Sequence, residues 1–254
     1  MAVKLVRSKV SPAQEYPEAG EVLSGKYRIE RIIGEGGMGV VYAAHHELLD
    51  QPVAVKLLFA EAGRDKEAVG RFLQEARAAA RLQSEHVARV MDIDTLPSGL
   101  PFIVMEYLEG QDLSALLDSR GPMSPTFVVD CVLQALEALS IAHAQGIVHR
   151  DLKPSNLFLT KRPDGSEIVK ILDFGISKSY GQNRMVSTLT SSRSVLGSPP
   201  YMSPEQVRSP RTVDSRTDIW SLGVVMYELL TGQMPFAGEE VGETFAAILE
   251  RVPE

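Results

Sequence analysis

A single cysteine, Cys131, stands in a chain of 254 residues. One thiol closes no disulfide within the chain and supplies no cysteine-rich zinc centre. It lies in an apolar run with helical spacing, which predicts a packed core thiol. Positive charge is also in short supply: 26 Lys and Arg face 33 Asp and Glu, a formal net charge of -7. Nucleic-acid phosphates are bound by basic faces, so no nucleic-acid partner is expected. No run reaches the ~20 consecutive apolar residues that cross a bilayer. The basic residues Lys4, Arg7 and Lys9 are not followed by the apolar segment of a secretory signal. These deficits predict a cytoplasmic chain without a membrane segment of its own, an anchor beyond Glu254 staying open. Internal repeats and low-complexity tracts are lacking too.

What is present is ordinary for a globular protein: 44% hydrophobic and 23% charged residues. The length allows one large domain or two lobes, each with a core. Residues 1–22 are polar, carry Pro12, Pro17 and Gly20, and read as a tail. Strand-like segments follow at Val22–Ile33, Val40–Ala44 and Pro52–Phe59, the first two flanking a glycine cluster. In Glu67–Leu82, Val69, Phe72, Leu73, Ala76, Ala79 and Ala80 recur at helical spacing, and two more strands are predicted at Val87–Ile93 and Phe102–Met105. The first half is thus a small sheet with one helix. Beyond Tyr107 helices dominate. Asp112 is a predicted N-cap, Ser124-Pro125 opens a long helix that Gly146 closes, and Asp218–Leu230 is a buried helix ended by Gly232. Asn156–Leu159 and Ile168–Leu172 bracket Pro163-Asp164-Gly165-Ser166 as a hairpin. Residues 185–198 are rich in Ser and Thr and read as a loop, and Val241–Arg251 is amphipathic.

Several of these segments carry chemistry. Backbone approaches a phosphate closely where no side chain intervenes, which Gly34-x-Gly36-x-x-Gly39 permits. Alone the pattern is equally a tight hairpin turn. A dinucleotide fingerprint is excluded, because those glycines open a helix, whereas Val40-Val41-Tyr42 continues as strand. Lys56 sits inside the apolar run Val53-Ala54-Val55, where an ammonium is costly unless paired. It either snorkels from a strand edge or meets a carboxylate, for which Glu75 on the next helix is the candidate. His149-Arg150-Asp151-Leu152-Lys153-Pro154-Ser155-Asn156 is the strongest signal. Asp accepts a proton from a hydroxyl, Lys neutralises a transferring phosphoryl group, and an Asn oxygen binds a hard cation. Asp173-Phe174-Gly175 follows the second hairpin strand and offers a further carboxylate.

In this order and context the motifs resemble the eukaryotic-like (Hanks-type) serine/threonine protein kinases. Gly36-Gly37-Met38-Gly39 and Tyr201-Met202-Ser203-Pro204-Glu205 are most similar to the bacterial members. The resemblance runs from about Leu23 to the end. It implies an α+β, bilobal fold: an antiparallel-sheet N-lobe with one helix over residues 23–105, a hinge at 106–111 and a mainly helical C-lobe from 112 to 254. It implies transfer of the ATP γ-phosphoryl group to Ser or Thr hydroxyls of protein substrates, with Mg²⁺, or Mn²⁺ in its place, and a kinase dimer. Ile33, Gly34, Glu35, Gly36, Gly37, Met38, Gly39, Val40 and Val41 would cover the phosphates. Lys56 would hold the α- and β-phosphates and pair with Glu75. Val41, Ala54 and Phe158 would enclose the adenine, with Met105 as gatekeeper and backbone at Glu106 and Leu108 on its edge. Asp151 would be the catalytic base beside Lys153, and Asn156 and Asp173 would hold the metal. Asp218 would brace the catalytic loop.

Ser198 stands where the family usually has Thr, and Ser203 where Ala is common; the first keeps its hydroxyl. Arg150 before Asp151 implies switching by loop phosphorylation, since a phosphate adds about -2 charge that an Arg can receive. Thr190 and Ser192 are the expected acceptors, then Thr188 and Ser194. The family continues with helices that would follow Glu254 and supply an Arg for Glu205. Each buried Leu or Ile contributes ~1.5–3 kcal/mol against a domain stability of ~5–15 kcal/mol, so a weakly folded lower lobe is expected. The alternative functions are a nucleotide-binding pseudokinase and an inactive truncated interaction module. A pseudokinase typically lacks one of Lys56, Asp151, Asn156 and Asp173, and all four are present.

Overall fold

The computed structural model describes residues 16–36, 39–174, 198–209 and 213–253. Gly37, Met38, Gly175, Thr188, Thr190, Ser192, Ser194 and Gly197 lie outside them. Six strands form the upper sheet: β1 Val22–Leu23, β2 Tyr27–Glu35, β3 Gly39–His46, β4 Gln51–Leu58, β5 Val90–Thr95 and β6 Pro101–Glu106, ordered β1-β2-β3-β4-β6-β5. Every pairing is antiparallel. Strand side chains alternate between faces, and β4 uses both. Val53, Val55 and Leu57 join Tyr27, Ile29, Tyr42, Phe102 and Val104 in one cluster. Ala54 and Lys56 face a cavity, and Leu58 packs with Ile103, Phe72 and Ala76.

Phe72 and Ala76 belong to the predicted helix. It follows a single helical turn, α1 (Ala60–Gly63), and runs as α2 over Lys66–Arg81. Its start is set by Asp65, whose side chain accepts the Glu67 N–H at 2.9 Å. The strand predicted from Val87 begins only at Val90. Residues 86–88 are drawn elsewhere: Ile171 N–H donates to the His86 carbonyl at 2.8 Å and Ala88 N–H to that of Ile171 at 3.0 Å. At the other end, Pro17 is buried, Tyr16 stands edge-on to Phe59 at 6.1 Å, and Gly20 N–H donates to the Ile29 carbonyl at 2.7 Å. The last residues of the polar stretch are thus tied to the sheet.

The lower part is mainly helical: α3 Leu113–Arg120, α4 Pro125–Ala144, α5 Pro204–Arg208, α6 Arg216–Thr231 and α7 Val241–Glu250. A small sheet, β7 Gly110–Asp112, β8 Leu157–Lys161 and β9 Glu167–Ile171, is laid out in that order. The helix boundaries follow the sequence. Asp112 accepts the Ala115 N–H at 2.9 Å. Ser124 caps α4, with Pro125 in its first turn. Gly232 ends α6 at φ +70°, a conformation that glycine adopts without penalty. Among the described residues α4 is long and apolar enough to cross a membrane by length and composition, a test that core helices pass as well. Its Val128, Cys131, Ala135, Ala138, Leu139 and Ala142 are nevertheless buried in the main core. Burial pushes the Cys131 thiol up to about 12, so it is the inert core group the sequence predicts.

Candidate active site

Between the sheets lies a cavity of about 350 Å³. Its walls include Ile33, Val41, Ala54, Met105 and Glu106 from the upper sheet, Tyr107 and Leu108 from the connection, and Phe158 from the lower sheet. Lys56, Glu75 and Asp173 line it as well. The predicted enclosing residues therefore surround one space. Val40 turns the other way, into the sheet core, at 3% exposure. The glycine turn is closed by Gly36 N–H on the Gly39 carbonyl at 2.9 Å. Gly39 has a packing duty of its own: a Cβ there would lie 1.9 Å from the Leu57 carbonyl oxygen. Nothing lies within 4 Å of a Cβ at Gly34.

Strand β4 carries Lys56 and helix α2 carries Glu75, and their charged ends meet at 3.6 Å. Lys56 also reaches Asp173 at 2.6 Å. The Lys56 side chain is 15% exposed, against 45% for Asp173. Burial would lower the Lys56 ammonium, but Asp173 and Glu75 outweigh it and hold its pKa above the ordinary value. For Asp173, loss of solvation raises the carboxyl and the Lys56 ammonium lowers it; the ammonium wins and the pKa falls. In Glu75 burial prevails over the pull of Lys56, and the pKa is raised.

Below this cluster, Asp151, Lys153 and Asn156 occupy one short loop. Lys153 Nζ lies 3.9 Å from Asp151 Oδ2. Asn156 Nδ2 donates to the Asp151 carbonyl at 2.8 Å, which turns its Oδ1 away from that carbonyl. The loop hangs from Asp218, whose side chain is fully buried. Oδ1 accepts the Arg150 N–H at 2.8 Å and Oδ2 the His149 N–H at 2.9 Å. The predicted brace is thus two main-chain hydrogen bonds, with His143 Nε2 at 2.7 Å as a third contact. Arg150 and Asp173 both have positive φ, +65° and +45°, a region that side chains other than glycine enter at a cost.

Sequence reasoning missed the contacts that join these parts. His149 has Nε2 3.1 Å from the Leu172 carbonyl and Nδ1 accepting from Asp151 N–H at 3.2 Å. Its ring rests on Phe174, centroids 4.9 Å apart. Gln206 Nε2 donates to the Arg150 carbonyl at 3.1 Å, and its side-chain oxygen accepts the Ser203 N–H in a capping box. The spacing Ser203-x-x-Gln206 signals that cap, but nothing in it signals the reach to Arg150. Ser198 lies just ahead of a 3₁₀ turn, its carbonyl accepting from Tyr201 N–H at 3.0 Å.

The donor set is suited to a hard cation. Among the described residues no group of three or more His, Cys, Asp or Glu gathers. Asn156 and Asp173 offer oxygen only, the chemistry of an ion that keeps water and takes further oxygens from a phosphate.

Residues 27–253 match the protein kinase domain family. The chain is 41% identical over 235 residues to the serine/threonine-protein kinase pkn3 of Myxococcus xanthus, covering 92% of this chain and 43% of that protein. It is 39% identical over 220 residues to the serine/threonine-protein kinase PknB of Mycobacterium tuberculosis, covering 85% and 34%. It thus spans less than half the length of these relatives. Among solved structures, the PknI kinase domain of Mycobacterium tuberculosis superposes with a TM-score of 0.68 at 28% identity, over 88% of this chain and 81% of that one. A double mutant of the same domain gives 0.71 at 26% identity, over 94% and 83%. The α+β, two-lobed fold expected from the motifs is the fold of these neighbours.

Proposed function

The chain belongs to the protein kinase domain family, and on that premise we propose that it transfers the γ-phosphoryl group of ATP to Ser or Thr hydroxyls of proteins. The observation that carries this reading is the convergence on one cavity of Lys56, Glu75 and Asp173, above a loop that presents Asp151, Lys153 and Asn156. The apolar walls Val41, Ala54 and Phe158 suit an adenine ring, with Met105 at the rear and the backbone of Glu106 and Leu108 at the edge. Glu75 orients the Lys56 ammonium toward the phosphates. Asp151 accepts the proton of the attacking hydroxyl as it leaves, and Lys153 stabilises charge on the phosphoryl oxygens. Positioning and charge stabilisation supply most of the rate.

Lys56, Glu75 and Asp173 together carry a formal charge of -1, which a triphosphate makes more negative. Asn156 and Asp173 would hold a divalent cation, Mg²⁺ or Mn²⁺, whose charge would offset this excess and neutralise phosphate oxygens. The same proposal takes residues 23–105 and 112–254 as lobes about a hinge at 106–111. It includes loop phosphorylation at Thr190 or Ser192, received by Arg150, in a kinase that works in the cytoplasm and pairs with a second copy.

The test is transfer from labelled ATP with Mg²⁺ to a generic basic protein and to the chain itself, with Lys56→Met alongside. Transfer that Lys56→Met abolishes is the expected result. A thermal shift with Mg·ATP but no transfer would instead make the chain a nucleotide-binding pseudokinase.

A further inference from the structure

Glu106 closes β6 and borders the cavity, and its carboxylate is engaged by neighbouring elements. Oε1 accepts the Arg89 N–H at 2.8 Å and meets Lys170 Nζ at 2.8 Å. The Glu106 N–H in turn donates to the Arg89 carbonyl at 3.0 Å. Main chain and side chain therefore pin this residue to the segment between α2 and β5. That segment is itself fastened to the lower sheet, through the His86 and Ala88 hydrogen bonds to Ile171 and through His86 Nδ1, 3.0 Å from the Val169 carbonyl. Lys170 lies between Val169 and Ile171 on β9 and is registered opposite Phe158, a wall of the cavity. It ties the lower sheet to the end of the upper one directly. Both side chains are well covered, 14% exposed for Lys170 and 23% for Glu106, so removing one charge leaves the other poorly solvated.

We propose that Lys170 is a positioning residue for nucleotide binding: through Glu106 it holds the end of β6 at the angle that presents the backbone of residues 106–108 to the adenine. The proposal deepens the kinase reading and rests on it. Without the ammonium, Glu106 turns to water and releases the Arg89 N–H, and the strand end gains freedom. Small displacements of a positioning element cost binding or rate far beyond their size.

The experiment compares the full chain with Lys170→Met, Lys170→Gln and Lys170→Arg, reading KM for ATP, kcat on a generic basic protein, Mg·ATP affinity by calorimetry, and Tm. Lys170→Met is expected to raise KM and Kd for the nucleotide by about tenfold, with kcat within about twofold. Lys170→Gln, which keeps a donor without the charge, should fall between, and Lys170→Arg should restore both constants. A lowered Tm with unchanged KM and Kd would make the pair merely structural and overturn the proposal, as would nucleotide constants that do not respond to any of the three changes. Absence of Mg·ATP binding by the unaltered chain would overturn the kinase reading, and this proposal with it.

Discussion

Asp218 and Lys56 both carry charge into the protein, on opposite terms. Asp218 is fully buried, and its two oxygens are spent on main-chain N–H groups of residues 149 and 150, with His143 beside them. Its hydrogen bonds hold a backbone, and a backbone has little freedom to leave. Lys56 shares its charge between two side chains on different elements, one at 3.6 Å and one at 2.6 Å, and Asp173 is open to the cavity. The first arrangement fixes a shape. The second balances charges that a ligand can redistribute. Stability should therefore depend mainly on Asp218, and chemistry mainly on the Lys56 cluster and the loop beneath it.

The sharpest way to break that contrast is Asp218→Ala. It strands the buried His149 N–H and the partly buried Arg150 N–H at up to ~1–3 kcal/mol each, a large part of a total stability of ~5–15 kcal/mol. A steep fall in Tm with complete loss of activity is expected in a thermal melt and a transfer assay. An unchanged Tm would end the idea of a structural brace. Asp151→Asn tests the other side: turnover should fall by ~10²–10⁴ while Mg·ATP affinity and Tm stay near those of the unaltered chain.

Glu75→Gln separates the two roles within one residue. The Glu75 pKa is raised by burial, so between the ordinary Glu value of ~4.3 and its raised value the folded chain binds more protons than the unfolded one. This contribution to stability is complete at low pH and is lost as pH rises through the raised value. Asp173, whose pKa is lowered, contributes in the opposite sense: its stabilisation is present above the ordinary Asp value and lost as pH falls through the lowered one. Glu75→Gln should flatten the loss of stability on the approach to neutral pH, seen as melts at several pH values, while turnover drops. Retained turnover would remove the Lys56–Glu75 pair from the chemistry. The smallest effect is expected from the glycines. Gly39→Ala meets the Leu57 carbonyl and should cost ~1–3 kcal/mol in a denaturant titration. Gly34→Ala, with open space around it, should leave stability nearly unaltered and act, if at all, on KM for ATP.

The parts legible in the sequence were those that put an unusual residue in a regular pattern. Lys56 interrupts an apolar strand, Ser124-Pro125 and Gly232 mark helix ends, and period-2 alternation gives β4 its two faces. What escaped had no local signature. Alanines carry little hydropathy, so the buried line Ala135, Ala138 and Ala142 of α4 has no strong signal in the sequence, where the larger Val132 and Leu136, which are only partly covered, stand out more. On α2 the same weakness exchanged Ala80, which is exposed, for Ala78, which is buried. Contacts between distant segments were equally silent. The reach of Gln206 to Arg150, the bridge of His149 to Leu172 and the pairing of Lys170 with Glu106 depend on how elements are assembled, and sequence spacing within one element does not encode that. The start of β5 moved for the same reason, since Ile171 takes the hydrogen bonds that Val87 and its neighbours would need to extend the strand.

The left-handed backbone at Arg150 and Asp173 gives the site a thermal character of its own. A non-glycine residue held there stores on the order of 1–3 kcal/mol. Arg150 is held there by the Asp218 contact with its own N–H, and Asp173 by the grip of Lys56. Warming that loosens the second hold, the more open of the two, lets the main chain at Asp173 relax to an ordinary conformation while the Asp218 brace and the cores remain in place. Heat inactivation should then set in below the temperature of global unfolding, and it should reverse on cooling, because what is lost first is two torsion angles and not the fold.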